Sequence, residues 1–259
     1  MINKKFSFVI YLLDTVLVLI ISIFVFRIIT HISHVNVDDE ITISQYTGER
    51  IFNSYSQKPA KIATYINTTD ETYIKGLSSA DVIIEFLSKS HGITYKAIFN
   101  YDASKLISGP FTLNDYSNSI LPKFNFTNNI EPPEVKCRNA NRIFVTFSED
   151  SSSNFLYENG VYSHYRGLRL DKDDNTPVVL SNIIVQFVSG NLINEETLTS
   201  SEKYGTGLLF SSGVAKDITW SRKKNSPIKI IDSKGSKVSL ISGHTWWILI
   251  DKSSSVAYD

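Results

Sequence analysis

The chain reads as an α+β protein: an N-terminal transmembrane helix, then a helix-on-sheet region, then a mainly antiparallel β C-terminal half forming a sandwich or partial barrel. Three observations carry this reading. From Phe6 to Ile29, 18 of 24 residues are Leu, Ile, Val or Phe. Between Ser78 and Phe99 the apolar spacing changes from that of a helix to that of a strand. Beyond Arg142, turn signals recur roughly every 8 to 15 residues between β-rich runs.

The N-terminal run follows Lys4 and Lys5. As a helix it would reach ~36 Å, enough for a hydrocarbon core of ~30 Å. Asp14 and Arg27 interrupt it, each costing up to ~3.5 kcal/mol at a helix centre, while the apolar residues together supply about −5 to −11 kcal/mol. Arg27 lies near the end, where its stem can snorkel to the interface. Asp14 is either a contact for a partner helix or a group drawn toward the headgroups. No alanine precedes Ala60 and no cysteine stands near the run, so neither a small-residue cleavage site nor a lipid attachment site is expected. The segment reads as an uncleaved signal anchor. Lysines before it and Asp38, Asp39 and Glu40 after it place the N-terminus in the cytoplasm. The protein is therefore expected at the cell membrane, single-pass, with its main domain extracytoplasmic and the lipid bilayer as its first partner.

Composition describes a folded protein with 42% hydrophobic residues and 26 basic against 26 acidic groups. That balance gives no electrostatic case for nucleic acid. Cys137 is the sole cysteine, so no intrachain disulfide can form. The expected division is residues 1–34 as cytoplasmic tip and anchor, 35–59 as a polar stalk, 60–133 as a first ectodomain region, and 134–259 as a β region.

After the stalk, Ser78 with Asp81 resembles a capping box; Val82, Ile83, Phe86 and Leu87 recur at helical spacing, and Gly92 supplies a stop. A strand follows from Ile93 to Phe99. Prolines 110, 122, 132 and 133 predict loops up to a boundary near residues 131–134. In the C-terminal half Asn159-Gly160 is a strong hairpin signal, and Ser212-Gly213 and Gly235 mark further turns. Residues 178–188 read as a long buried strand and 245–250 as the last one.

These residues carry a family resemblance. Gly76 to Glu85, followed by Gly92-Ile93-Thr94 and Ala97-Ile98-Phe99, is similar to the signature of the YerB-like family of bacterial extracytoplasmic lipoproteins, a domain family without an assigned function. Gly160-Val161-Tyr162 through Asn182 to Gln186, then Gly205 to Trp220, and Gly243-His244-Thr245-Trp246 agree with it, so the likeness covers roughly residues 60 to 251. Departures are equally plain. An acid and an arginine of the family are replaced around Ser90, His91 and Tyr95, two arginines are absent after Gly109-Pro110, and a central segment is missing between about Tyr116 and Arg142. A charged pocket built by those groups in relatives would have a changed ligand here. The two ectodomain regions become the YerB-like N-terminal and C-terminal regions.

Candidate chemistry is sparse. Asp81 and Glu85 are four apart, on one face of the expected helix, and could pair as general acid and base; the structural alternative has Asp81 capping that helix and Glu85 facing water. His91, His164 and His244 are scattered, and His31 with His34 lie three apart beside the membrane. Asp171-Lys172-Asp173-Asp174-Asn175 opens like a calcium loop, but Thr176 and Asn182 stand at its turn-glycine and closing-glutamate positions, so a solvated hairpin loop is the expectation. Neither a metal nor a cofactor is expected. Trp246 and Trp247 point to opposite sheet faces, making Trp247 a candidate binding residue with His244 and His91, or a packed residue beneath the Pro-rich loops. The combined reading is a non-catalytic binding or scaffolding module of the cell envelope, with an envelope protein or glycan as partner; the alternative is an envelope-polymer hydrolase or transferase using the acidic pair or a histidine.

Overall fold

The computed structural model describes residues 15–27, 41–52, 59–68, 73–88, 91–101, 103–116, 121–127, 138–188, 203–223, 226–251 and 253–259. The chain forms two compact units, Met1–Glu40 and Ile41–Asp259. In the first, residues 15–27 are helical and the apolar side chains from Val16 to Phe26 are exposed. Asp14, His31 and His34 lie outside the described residues, as does Cys137.

The second unit corrects the predicted fold class. It is β-rich, with one 3-10 turn at Leu77–Ser79, and the α+β architecture with a transmembrane helix does not stand. Among the described residues no helix is long and apolar enough to cross a membrane; residues 15–27 rise only ~20 Å as a helix. The expected ectodomain helix is a strand, Val82–Ser88. Its helical spacing was a by-product of burial on both sides. Val82, Ile84 and Phe86 enter one core while Ile83 enters another, and such a strand reads as a continuous apolar run rather than an alternating one.

Two sheets make the body. The larger orders its main strands as Lys229–Asp232, Val214–Arg222, Lys203–Ser211, Asn182–Phe187, Thr245–Ile250, Val82–Ser88, Gly92–Phe99, Lys61–Thr68 and Phe111–Asp115. Its three central strands run parallel, Asn182 standing opposite Thr245 and Thr245 opposite Val82. The smaller orders Arg169–Leu170, Val161–Arg166, Ser151–Glu158, Arg142–Ser148 and Ser255–Tyr258, with Val179–Leu180 also on Val161–Arg166. The expected long strand at 178–188 is thus split between the two sheets, and Ser255–Tyr258 follows the strand expected to be last.

One core lies between the sheets, where Ile143, Val145 and Phe155 meet Ile183, Phe210, Ile248 and Trp246. A second covers the far face of the larger sheet, where Ile84, Ile184, Leu209, Trp247 and Leu249 sit beneath Tyr46, Tyr116, Leu121 and Leu240. Tyr46 comes from the stretch read as a stalk. Residues 41–52 instead form a hairpin, Ile41–Ile43 with Arg50–Phe52, fastened by the Gly243 N–H donating to the Thr47 carbonyl at 2.7 Å. Strands from both sides of residues 131–134 pair within the larger sheet, through Val82–Ser88 and Thr245–Ile250.

The turns follow their glycines. Asn159 (φ 53°) and Gly160 (φ 89°) close the Ser151–Glu158 and Val161–Arg166 hairpin, the paired positive angles that let two strands keep their twist. Asp171 to Thr176 folds as the expected hairpin but is not wholly solvated, since Asp173 is buried and accepts the Ser78 N–H and hydroxyl at 2.8 and 2.5 Å. Gly207 answers to space instead, since a Cβ there would lie 2.5 Å from the Val185 carbonyl oxygen.

These two glycines separate conformational cost from steric cost. Gly160→Ala meets nothing within 4 Å and should cost about 1 kcal/mol from its backbone angle alone. Gly207→Ala must push neighbouring strands apart and should cost roughly 2 kcal/mol or more. Urea melts of both variants check this, and equal losses would show that the sheet yields at Gly207.

Candidate functional site

Between the sheets lies a chain of buried polar groups. Glu85, on the central Val82–Ser88 strand, accepts the Trp246 indole N–H at 2.7 Å and lies beside Ser153 and Tyr95. Ser153 Oγ is 2.6 Å from His164 Nε2, and His164 Nδ1 is 3.0 Å from Asp171 Oδ2. Arg166 donates to the same Asp171 oxygen at 3.2 Å and lies over the Tyr95 ring. The Trp246 ring stacks on the His164 imidazole with centroids 3.9 Å apart.

Serine, histidine and aspartate thus stand in the order of a nucleophilic triad. Access decides against that use: Ser153 is 1% exposed and His164 0%. Burial raises the Glu85 carboxyl above its usual range, opposed by the nearby His164, Trp246 and Ser153. Burial also works to raise Asp171, but hydrogen bonds and charge from His164 and Arg166 outweigh it and hold that carboxyl low. Ionised Asp171 only accepts, so His164 Nδ1 carries the proton between them. The network joins two sheets and leaves no room for substrate.

Open chemistry lies at the starts of the parallel strands. Because Thr245 stands opposite Val82, the preceding residues, His244 and Asp81, come together at the sheet's end. They line a cleft of about 400 Å³ with Glu49, Arg50, Ser79, Asn100 and Tyr101. Asp81 Oδ2 accepts the Asn100 backbone N–H at 2.5 Å. His244 Nδ1 lies 2.6 Å from the Ala80 carbonyl oxygen; a carbonyl can only accept, so Nδ1 carries hydrogen and the neutral ring presents Nε2 as a base. Asp81 Oδ1 and His244 Nε2 have no hydrogen-bond partner among the described residues. Burial raises Asp81 to about 6, against the Asn100 N–H and His244, with Glu49 adding to the rise. The cleft therefore offers a carboxyl that exchanges its proton near neutrality beside an imidazole, flanked by one exposed anion and one exposed cation.

The expected site residues separate. Asp81 and His244 meet in the cleft, whereas Glu85, about 13 Å along the strand from Asp81, belongs to the buried network. Trp247 is 2% exposed, donates its indole N–H to Gln186 Oε1 at 2.9 Å and packs against Phe124. His91 is exposed at the turn between Val82–Ser88 and Gly92–Phe99. Among the described residues no group of His, Cys, Asp and Glu could hold a metal ion. Glu49 and Arg50 escaped sequence reading because they stood in an apparent stalk. Ser153, His164 and Asp171 follow no motif spacing; the hairpin register of Ser151–Glu158 with Val161–Arg166 brings the first two together, and the Asp171 N–H donating to the His164 carbonyl brings in the third.

Comparison with known proteins agrees with this architecture. Residues 143–247 match the family described as the protein of unknown function (DUF3048) C-terminal domain. The crystal structure of the YerB protein from Bacillus subtilis is similar at a TM-score of 0.60 and 14% identity, covering 83% of this chain and 99% of that one. At that identity the likeness is one of fold. No curated protein sequence matches the chain.

Two outcomes follow from the geometry. Asp81 has its folded pKa raised to about 6 above an unfolded value of ~3.9, so its own contribution to stability should be full below about pH 4, fall by about 3 kcal/mol between pH 4 and 6, and level off above. Asp81→Asn should flatten that fall in urea melts taken across the range; an unchanged slope would assign it to another group. A serine-directed fluorophosphonate should leave the native protein unlabelled, while Ser153→Ala should lose about 1–3 kcal/mol as its partners go unsatisfied. Stoichiometric labelling of Ser153 in the folded state would contradict the sealed network.

Proposed function

We propose that this chain, YerB-like in its C-terminal domain and in its fold, is a non-catalytic binding module of the bacterial cell envelope whose ligand seat is the Asp81 and His244 cleft. The observation that carries this is the incomplete hydrogen-bonding of those two side chains. Each has one atom held by the main chain and one without a partner among the described residues, the pattern of a site preorganised for a ligand. Glu49 and Arg50 on the rim, with Tyr101 on the wall, suit a small polar segment bearing both donors and acceptors, such as a glycan or the end of a peptide. An extracytoplasmic location belongs to the same proposal, as the resemblance to the YerB-like family implies, and association with a bilayer is supported by the exposed apolar side chains from Val16 to Phe26.

A second reading has one specific support. A carboxyl raised to about 6 beside a histidine is suited to general acid and base chemistry near neutral pH, which keeps an envelope-polymer hydrolase or transferase in view. Incubation with purified insoluble cell-wall sacculi separates the two. Retention of the protein on the sacculi, weakened about tenfold or more by His244→Ala or Arg50→Ala and without soluble fragments, is the expected result. Release of fragments by the wild type and not by Asp81→Asn would replace the binding reading with the hydrolytic one. Absence of retention and of fragments would remove the envelope polymer as ligand.

A further inference from the structure

A second hollow, of about 510 Å³, opens beside the edge strand Lys229–Asp232 of the larger sheet. Its walls are apolar, formed by Phe124, Ile228, Ile230, Val238 and Leu240, and it reaches inward to Ile184 on a central strand. Three lysines, Lys123, Lys229 and Lys237, complete the lining with no acidic residue among them. All three are exposed, and none makes an ion pair among the described residues. Lysines on an edge strand discourage pairing with another chain. That duty explains Lys229, but neither the hollow behind it nor the gathering of Lys123 and Lys237 from two other segments.

An apolar interior with an uncompensated basic rim is complementary to one chemical class. A long hydrocarbon chain gains from each methylene it removes from water, and the flexible lysine stems can lie along the apolar wall while their ammonium groups meet an anion at the mouth. The volume falls within the range of small-molecule seats. We propose that this hollow binds a single-chain anionic amphiphile, its acyl chain inserted toward Ile184 and its acidic headgroup held by Lys123, Lys229 and Lys237. This site is separate in chemistry and lining from the Asp81 and His244 cleft and does not rest on that reading. Trp247 acquires a part in it one layer down, since its ring packs against Phe124 with centroids 6.1 Å apart and so reports on whatever enters.

The test uses the full chain and 11-(dansylamino)undecanoic acid, with tryptophan excitation and dansyl emission as the readout. Saturable energy transfer with a dissociation constant on the order of micromolar is expected. The methyl ester of the probe should bind about tenfold more weakly or worse, and so should the acid to a variant combining Lys123→Gln, Lys229→Gln and Lys237→Gln, whose exposed positions leave the fold intact. Val238→Phe, confirmed folded by its thermal melt, should block binding by filling the hollow. Displacement by palmitate identifies a free carboxylate as the headgroup, and displacement by lysophosphatidylglycerol identifies a lipid phosphate; either supports the site. No saturable transfer, equal affinity for acid and ester, or wild-type affinity in the lysine and Val238→Phe variants would overturn it.

Discussion

The arrangement of the body depends on burying two carboxylates, an arginine and a histidine between two sheets. Glu85 comes from the centre of the larger sheet, whereas Ser153, His164 and Arg166 come from the smaller one and Asp171 follows it closely. An isolated carboxylate in such a place would cost several kcal/mol, and the group would neutralise rather than remain charged. Here each carboxyl has a donor already in place: Trp246 for Glu85; His164 and Arg166 for Asp171. Apolar side chains alone would let one sheet slide over the other with little penalty. A slide of two residues along Val82–Ser88 would put Ile83 or Leu87, the next side chains on that face, where Glu85 stands and strand the donors on the facing sheet. The network therefore sets the register of packing as much as its strength.

That constraint also explains the central strands. The Val82–Ser88 and Thr245–Ile250 strands run parallel with both faces covered, so successive residues serve different cores. Trp246 stacks on His164 between the sheets, and Trp247 hydrogen-bonds Gln186 in the other core. The turn could be read at Asn159-Gly160 and the strand at Arg142–Ser148, where one face is exposed and the pattern is buried and exposed by turns. It could not be read at Val82–Ser88, where double burial erases alternation and leaves apolar spacing that a helix would also satisfy. The parallel pairing was equally invisible, because it joins residues more than 160 positions apart and no turn marks it.

Legibility of the site follows the same divide. Asp81 and His244 could be named singly, but their meeting depends on the register of those distant strands. Asp81 and Glu85 formed a pair only on the assumption of a helix; in a strand, four residues carry Glu85 deep into the core and leave Asp81 at the sheet's end. Arg50 and Glu49 could not be found by pattern at all, since the hairpin bearing them is held by single backbone bonds and a few buried residues such as Tyr46. Short polar segments of that kind resemble linkers until the surface that receives them is known.

Completeness of partners, rather than residue type, separates structure from site in this molecule. Ser153, His164 and Asp171 have the composition and order of a catalytic set, yet the atoms that would carry the reaction bond one another and Ser153 and His164 are buried. Asp81 and His244 make a plainer pair, but each has an atom with no partner among the described residues beside solvent. A fully satisfied buried network resists change, because a new ligand would have to replace bonds at least as good as those it breaks. An incomplete set at the end of a rigid sheet has the opposite property: a ligand completes it without dismantling anything, and the strands that hold it need not move. The same physics that makes the interior triad inert thus makes the strand ends the place where recognition can occur.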